Sequence, residues 1–491
     1  MTANQRIDAI EVEVEGFAPV DLYERREKIF TRFVGGFYQR LRFFTGWPLL
    51  LGYYLIPWIN WQGRQAVLFD LPARQFHIFG TTFWPEDLWL LGWVLIIAAF
   101  GLFTVTTMVG RLWCGYTCPQ TVWTAIFMWI EQVTEGSRNQ RIKLDAAPMS
   151  FSKLRKRTFK HGMWLGMAFL TGLAFVGYFT PIRELWLSLL QLDAHGWSLF
   201  WVVFFTTATY INAGWLREQV CIYMCPYARF QSAMLDKDTL VVSYDAARGE
   251  PRGLQKRSAA IAAARLSGGV PGVIGDCIDC SLCVQVCPTG IDIRNGLQYQ
   301  CIGCAHCIDA CNQVMNKLNR DPGLIRYTTE HALSGGTTHW LRGRSIGYAL
   351  ATLVMAMLFV FAVLSRAPLS VEITRDRGAM FHLQDDGSVT NDYSLKVTNK
   401  TSKALTIETT LSSPSALTLA ATAALTLGAR ESEYRTVQVF SGANVPSTMQ
   451  STPMALQICA YDPAASTDSP VHCIMEQSRF FRPSPMPKGP R

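Results

Sequence analysis

The chain has 491 residues, 49% of them hydrophobic and 12% aromatic, with a mean hydropathy of +0.14. Only 17% are charged, against roughly 25% in ordinary globular domains, which excludes a disordered chain or a highly charged nucleic-acid binder and points to a membrane. The net charge of +8, from 45 Lys+Arg and 37 Asp+Glu, has to be read from its distribution, and this length predicts several domains.

Residues 1–42 form an N-terminal segment with Glu11, Glu13 and Glu15 and no apolar run before residue 40, so a cleavable leader is not expected. Five apolar stretches follow, at 43–61, 88–110, 162–181, 197–216 and 346–364. Each approaches the roughly 20 helical residues that cross a hydrocarbon core, and the first is the least regular because it contains Pro48 and Pro57. Buried helices of a soluble protein are the alternative. Lys and Arg number 7 before the first stretch, then 2, 9, 1 and 14 in the successive intervening segments. That alternation predicts that the N-terminus, residues 111–161 and residues 217–345 are cytoplasmic and that the chain after 365 lies outside. The expected fold class is a polytopic α-helical membrane protein of about five spans, with an inserted α+β domain and a C-terminal all-β domain. Its parts are a four-span membrane domain over 43–236, a cytoplasmic domain over 237–345, the fifth span, and an outer domain over 367–491.

The run Cys114 to Pro119 reads CGYTCP and the run Cys221 to Pro226 reads CIYMCP. Both fit C-x-Y-x-C-P, each after an even-numbered span, so residues 43–130 and 162–236 read as two diverged copies of a two-span hairpin. Proline can end one helix and begin the next, and short interfacial helices are expected after each motif. Residues four apart share a helix face, which would let Cys114 with Cys118, and Cys221 with Cys225, present paired sulfurs. Four converging thiols suit Cu(I), zinc or an iron-sulfur centre or can cycle to a disulfide. Met108 and Met224 could add thioethers, and ordinary buried cysteines are the plain alternative.

Residues 246–272 read as a basic helix and flexible lead-in, better explained by an anionic leaflet than by nucleic acid. From 277 to 312 the chain reads CIDCSLCVQVCPTGIDIRNGLQYQCIGCAHCIDACN. Two C-x2-C-x2-C-x3-C runs in succession are the bacterial two-cluster ferredoxin pattern, in which the fourth Cys of each run serves the other cluster. The expected ligands are Cys277, Cys280, Cys283 and Cys311 for one 4Fe-4S cluster, and Cys301, Cys304, Cys307 and Cys287 for the other. Pro288 closes the first run, whereas Asn312 stands in the corresponding place after the second. Structural zinc is the alternative. His306 is expected to be a solvated loop residue. Two clusters in one small module suit single-electron relay better than substrate binding.

The eight histidines form no obvious pair inside two spans, which disfavours a transmembrane bis-His haem, and no Gly-rich dinucleotide fingerprint follows a strand. Residues 367–491 hold alternating segments such as YSLKVTNK, ALTIETTL, YRTVQVF and ALQICAYD, enough for an immunoglobulin-like sandwich. Cys459 and Cys473 are the only cysteines in this part, and a disulfide between them is expected outside the cytoplasm. The last residues, FFRPSPMPKGPR, read as a flexible end.

Taken together, these motifs over nearly the whole chain resemble the FixG/CcoG/RdxA accessory proteins needed to assemble bacterial cbb-type cytochrome c oxidase. The resemblance implies an inner-membrane cupric reductase that supplies Cu(I), with copper as substrate or bound ion and Cys114, Cys118, Cys221 and Cys225 as its redox and copper residues. It also implies a cytoplasmic electron donor and an oxidase assembly machinery that includes a copper transporter or chaperone, and it leaves self-association open. The competing readings are a respiratory subunit linked to quinol, and a scaffold with structural or sensory clusters.

Overall fold

Three helices among the described residues are long and apolar enough to cross a membrane: Pro85–Val109, Gly196–Leu216 and Gly343–Leu364. They coincide with the second, fourth and fifth expected spans. The first expected stretch is helical from Phe37 to Leu55, then turns through Ile56–Trp58 into a short strand at Asn60–Trp61, because Pro57 cannot continue the helix. The third belongs to a longer helix, Phe151–Val176. Both of these helices carry basic residues in their first turns (Arg40 and Arg42; Lys153 to Lys160) and are correspondingly less apolar. The computed structural model describes residues 28–253, 275–375, 378–412, 417–420, 424–441, 451–463 and 469–482. Most of the expected basic lead-in, from 254, and the expected flexible end after 482 lie outside the described residues.

The fold divides into two units, one made of Met1–Tyr54, Leu102–Phe175 and His195–Ile346, the other of Leu55–Gly101, Val176–Ala194 and Gly347–Arg491. In the first unit, the cysteine-rich module is closed by an antiparallel pair of strands, Val241–Tyr244 and Ile325–Thr328. The helices Leu282–Gln285 and His306–Lys317 lie within it, over a core that includes Val242, Ile293, Ile308, Met315 and Ile325. Their different lengths follow from the sequence. Pro288 prevents the first from extending, while Asn312 lets the second run on, and its side chain accepts a hydrogen bond from the Gly323 amide at 2.8 Å.

The N-terminal segment packs on this module. Val34 joins Val286 and Ala310 in a small core, and the buried Asp309 carboxylate accepts from the Tyr38 and Gln39 amides at 3.2 and 2.8 Å. A side chain 270 residues away thus satisfies two of the open amides that begin the Phe37–Leu55 helix.

The second unit contains two antiparallel sheets. One runs Leu417–Leu419, Ser432–Ser441, Val389–Asn399, Leu369–Arg375, with His382–Leu383 also paired to Val389–Asn399; the other runs Leu425–Leu427, Leu405–Ser412, Ser451–Tyr461, His472–Phe481. Alternate residues point inward. Leu395, Val397 and Val437 from one sheet meet Ile407, Leu456 and Ile458 from the other in a core that excludes water. Cys459 and Cys473 stand opposite each other in neighbouring strands and are joined by a disulfide. The same unit holds a small three-stranded sheet over Val67–Asp70, Gln75–Ile78 and Thr81–Phe83, between the first two expected spans. The Arg366 guanidinium donates to the Asp87 carboxylate and to the Thr82 carbonyl, and Lys400 reaches Asp87 at 3.1 Å, tying this sheet region to the sandwich.

Candidate functional site

Each cysteine run turns through the left-handed backbone region twice. The positions are Asp279 and Ser281 in the first run, and Gly303 and Ala305 in the second, with φ between 53° and 67°. These are corresponding places in the two repeats, and three of the four are not glycine, so the conformation is held by its surroundings at a cost of about 1–2 kcal/mol each. The turns fold the thiols around two cavities. One is lined by Cys277, Cys280, Cys283 and Cys311. The other is lined by Cys287, Cys301, Cys304 and Cys307, with Cys283 also at its wall. The remaining walls are mainly aliphatic.

Burial pushes the Cys304 and Cys311 thiols up to about 12 and the Cys283 thiol to about 11. Cys307 is also driven well up by burial and by its neighbouring thiols. Thiols so enclosed hold their protons unless a cation displaces them, and iron does so outright. The donor set, the enclosure and the paired turns therefore fit two cubane iron-sulfur clusters.

His306 is not the solvated residue expected. Its Nε2 lies 2.6 Å from Gln39 Oε1 and within bonding distance of Arg42. Burial, with Arg42 beside it, depresses its imidazolium to about 3. The docking of residues 28–42 encloses this histidine, and local sequence gives no sign of that docking.

The C-x-Y-x-C-P cysteines do not share a helix face. Cys114 lies in the short helix Leu112–Tyr116, which ends before Cys118; Cys221 lies in a π-helical turn, Val220–Met224, and Cys225 follows it. The reason is the proline, since a residue before proline is driven to extended geometry. Cys118 has ψ 127° and Cys225 has ψ 111°. The helices that follow are Pro119–Glu135, longer than expected, and Tyr227–Met234. Met224 is 61% exposed.

The two pairs nevertheless come together by another route. Burial pushes Cys114 up to about 12, with further contributions from Cys118, Cys221 and Cys225; burial likewise raises Cys221 to about 12, with Cys118 and Cys225 contributing. The four thiols therefore lie within electrostatic range of one another. A clamp made of residues outside both motifs holds them there. Gln120 Nε2 donates to the Asn212 and Arg217 carbonyls at 2.9 and 3.1 Å, and the buried Glu131 carboxylate receives Arg217 at 2.6 Å and Arg141 at 3.0 Å, with Lys160 at 3.9 Å.

Arg111 joins this thiol group to the cysteine-lined cavities. Its guanidinium is buried and donates to the Cys301 carbonyl at 2.6 Å, to the Tyr299 carbonyl, and to the Ala228 carbonyl at 3.4 Å in the helix after the second motif. Gly115 lies so close to the cavity loop that an added Cβ would stand 2.7 Å from the Gly303 carbonyl oxygen. Tyr327 donates to that same oxygen at 2.5 Å and lies 3.2 Å from the Tyr116 hydroxyl. The first C-x-Y-x-C-P motif therefore rests on the loop that carries Cys301 and Cys304. In the sequence Arg111 counted only as one of several cytoplasmic charges, and nothing local marked it as a link.

Long apolar helices, a module with two cysteine-lined cavities and a C-terminal β-sandwich together define a membrane iron-sulfur redox protein. Comparison with known proteins agrees. Residues 216–330 match the family described as 4Fe-4S dicluster domain, residues 91–134 the 4Fe-4S binding domain, and residues 359–483 the IG-like fold at the C-terminal of FixG. The chain is 41% identical to the nitrogen fixation protein FixG of Rhizobium meliloti over 413 residues, 77% of each chain. It is 38% and 37% identical to the proteins RdxA and RdxB of Cereibacter sphaeroides, over 77% of this chain and 80% of theirs. The chain belongs to the FixG/RdxA family.

Proposed function

We propose that this protein reduces Cu(II) to Cu(I) at the group formed by Cys114, Cys118, Cys221 and Cys225, and that the Cu(I) is used in assembling a cbb-type oxidase. The observation that carries the proposal is the seating of the first C-x-Y-x-C-P motif, through Arg111 and Gly115, on the loop of Cys301 and Cys304. Cys277, Cys280, Cys283 and Cys311 would hold one iron-sulfur cluster, and Cys287, Cys301, Cys304 and Cys307 the other. When bound, such clusters take up and release one electron at a time. The reaction balances as one electron from a cytoplasmic reductant to one Cu(II), giving one Cu(I). Four soft sulfur donors favour the reduced ion, so the protein residues bias the outcome as well as holding the metal. Arg111 places a positive charge beside these thiols, which eases their ionisation as copper binds.

Five passes through the inner membrane form part of the same reading. Residues 28–39 and residues 111–116 both touch the cysteine-rich module. With Pro85–Val109 and Gly196–Leu216 as spans, residues 28–39 share a side of the membrane with residues 111–116 only if Phe37–Leu55 also crosses, and residues 111–116 share it with the cysteine-rich module only if Phe151–Val176 also crosses. The distribution of Lys and Arg favours the cytoplasm for that side, with the β-sandwich opposite.

The test is anaerobic Cu(II) reduction by purified, cluster-loaded protein with Cu(I) trapped by bicinchoninate, comparing the parent with the Cys114→Ser, Cys118→Ser, Cys221→Ser, Cys225→Ser variant. Loss of Cu(I) formation with the EPR signals of both clusters intact is expected. Undiminished Cu(I) formation would remove copper chemistry from these cysteines.

A further inference from the structure

Beyond the twelve cysteines of the first unit, its described residues bring together one further set of metal-binding side chains: Asp238, His331 and His339. Asp238 is 93 residues from His331 in sequence and 101 from His339. Asp238 Oδ1 lies 2.8 Å from His331 Nδ1 and 3.5 Å from His339 Nδ1. Ligand bonds of about 2.1 Å place adjacent donors roughly 3.0 Å apart in an octahedron and 3.4 Å apart in a tetrahedron, so the donors already stand near coordination spacing.

The surroundings hold them there. Asp238 belongs to a turn in which its own amide donates to Asp236 Oδ1 at 3.0 Å, and the Thr239 hydroxyl donates to the Thr107 carbonyl at 3.0 Å, at the end of the Leu88–Val109 helix. His331 and His339 sit on either side of a loop closed by a 2.8 Å contact between the Thr329 and Thr338 hydroxyls and by the Gly336 amide donating to the His331 carbonyl at 2.8 Å. The His339 amide also donates to Asp238 Oδ1 at 3.1 Å. The nearby Arg342 is engaged by Asp236, so it does not neutralise Asp238. The Asp238 side chain is 11% exposed, whereas those of His331 and His339 are 40% and 65% exposed, which leaves an open side for an ion to enter and for water to complete its shell.

We propose that Asp238, His331 and His339 form a binding site for a divalent first-row transition-metal ion, of the Zn2+ or Cu2+ type. Two imidazoles and one carboxylate are borderline ligands that suit such ions and disfavour Mg2+ and Ca2+, which seek all-oxygen shells. With three protein ligands and open positions the site exchanges its ion. The inference does not depend on copper reduction by the cysteine group.

The experiment is equilibrium dialysis of the full-length, cluster-loaded protein against Zn2+ under anaerobic conditions, in a background where Cys114, Cys118, Cys221 and Cys225 are Ser. One Zn2+ per chain should be retained. His331→Ala, His339→Ala and Asp238→Asn should each weaken retention at least tenfold, with cluster absorbance and gel-filtration behaviour unchanged. Cu2+ bound in the same background should show an EPR spectrum with nitrogen splitting that is lost in the His331→Ala/His339→Ala variant. Failure to retain Zn2+, or retention and spectra unaffected by the paired histidine substitution, would overturn the proposal.

Discussion

Replacing Glu131 by Gln keeps the shape of the side chain and removes its charge. The carboxylate is only 4% exposed and holds Arg217 at 2.6 and 3.2 Å and Arg141 at 3.0 Å, with Lys160 at 3.9 Å. Lys160 also pairs with Glu135 at 2.8 Å. Glu131→Gln therefore leaves three enclosed cations with one remaining carboxylate. Breaking a buried pair by removing one partner costs about 3–5 kcal/mol, because the other charge stays buried and uncompensated. In a unit of this size that corresponds to a fall of about 10 °C in the melting midpoint, measured in detergent by intrinsic fluorescence. Because Arg217 ties the second cysteine pair to the helix after the first, Cu(II) reduction should fall with it. Glu131→Gln/Arg217→Met should recover part of the loss, with a coupling of at least about 1 kcal/mol. The pH dependence has a definite sign. Burial alone would raise the Glu131 carboxyl, but Arg217, Lys160 and Arg141 outweigh it and hold it below the ordinary carboxylate range. Its contribution is therefore complete above about pH 4.5 and is lost as pH falls through the depressed folded value, so the variant should show a flatter acid limb. A Glu131→Gln protein within about 1 kcal/mol of the parent, or strict additivity with Arg217→Met, would refute the reasoning.

Three other substitutions probe the links between elements. Gly115→Ala places a Cβ 2.7 Å from the Gly303 carbonyl oxygen, a backbone atom that cannot step aside; a cost of about 1–3 kcal/mol and slower copper reduction with intact clusters are expected, read by melting and Cu(I) trapping. Arg111→Met removes a charged donor from the Cys301 and Ala228 carbonyls, worth about 1.5–3 kcal/mol per bond, and should speed iron release to a chelator, followed by absorbance. Asp309→Ala removes the acceptor of the Tyr38 and Gln39 amides; a loss of about 1–2 kcal/mol and faster proteolysis within residues 28–36 are expected, read by limited digestion.

The cysteine-rich module was largely legible because its chemistry is written in spacing: residues three apart within one loop have few ways to fold, and the eight thiols fall around two cavities. The sandwich was legible for a similar local reason, since alternation such as Leu395, Val397 against Ser394, Lys396 commits a strand to one buried face. What escaped depends on distant contacts. Glu131 and Arg217 are 86 residues apart, and Asp309 meets an amide 270 positions away; no window of sequence holds both partners. His306 looked solvated because its run ignores residues 39 and 42, which enclose it. The shared-face expectation for Cys114 and Cys118 failed for a reason present in the sequence, since Pro119 and Pro226 force the cysteine before them out of helical geometry.

The central claim, that electrons held by the iron-sulfur module reach copper through the four C-x-Y-x-C-P thiols, is tested most directly by single-turnover kinetics. Pre-reduced, cluster-loaded protein is mixed anaerobically with Cu(II) while cluster absorbance and trapped Cu(I) are followed together. One Cu(I) should appear per electron lost, and the four-serine variant, with both clusters present, should react at least tenfold more slowly. Cluster reoxidation at the parent rate in that variant would contradict the account.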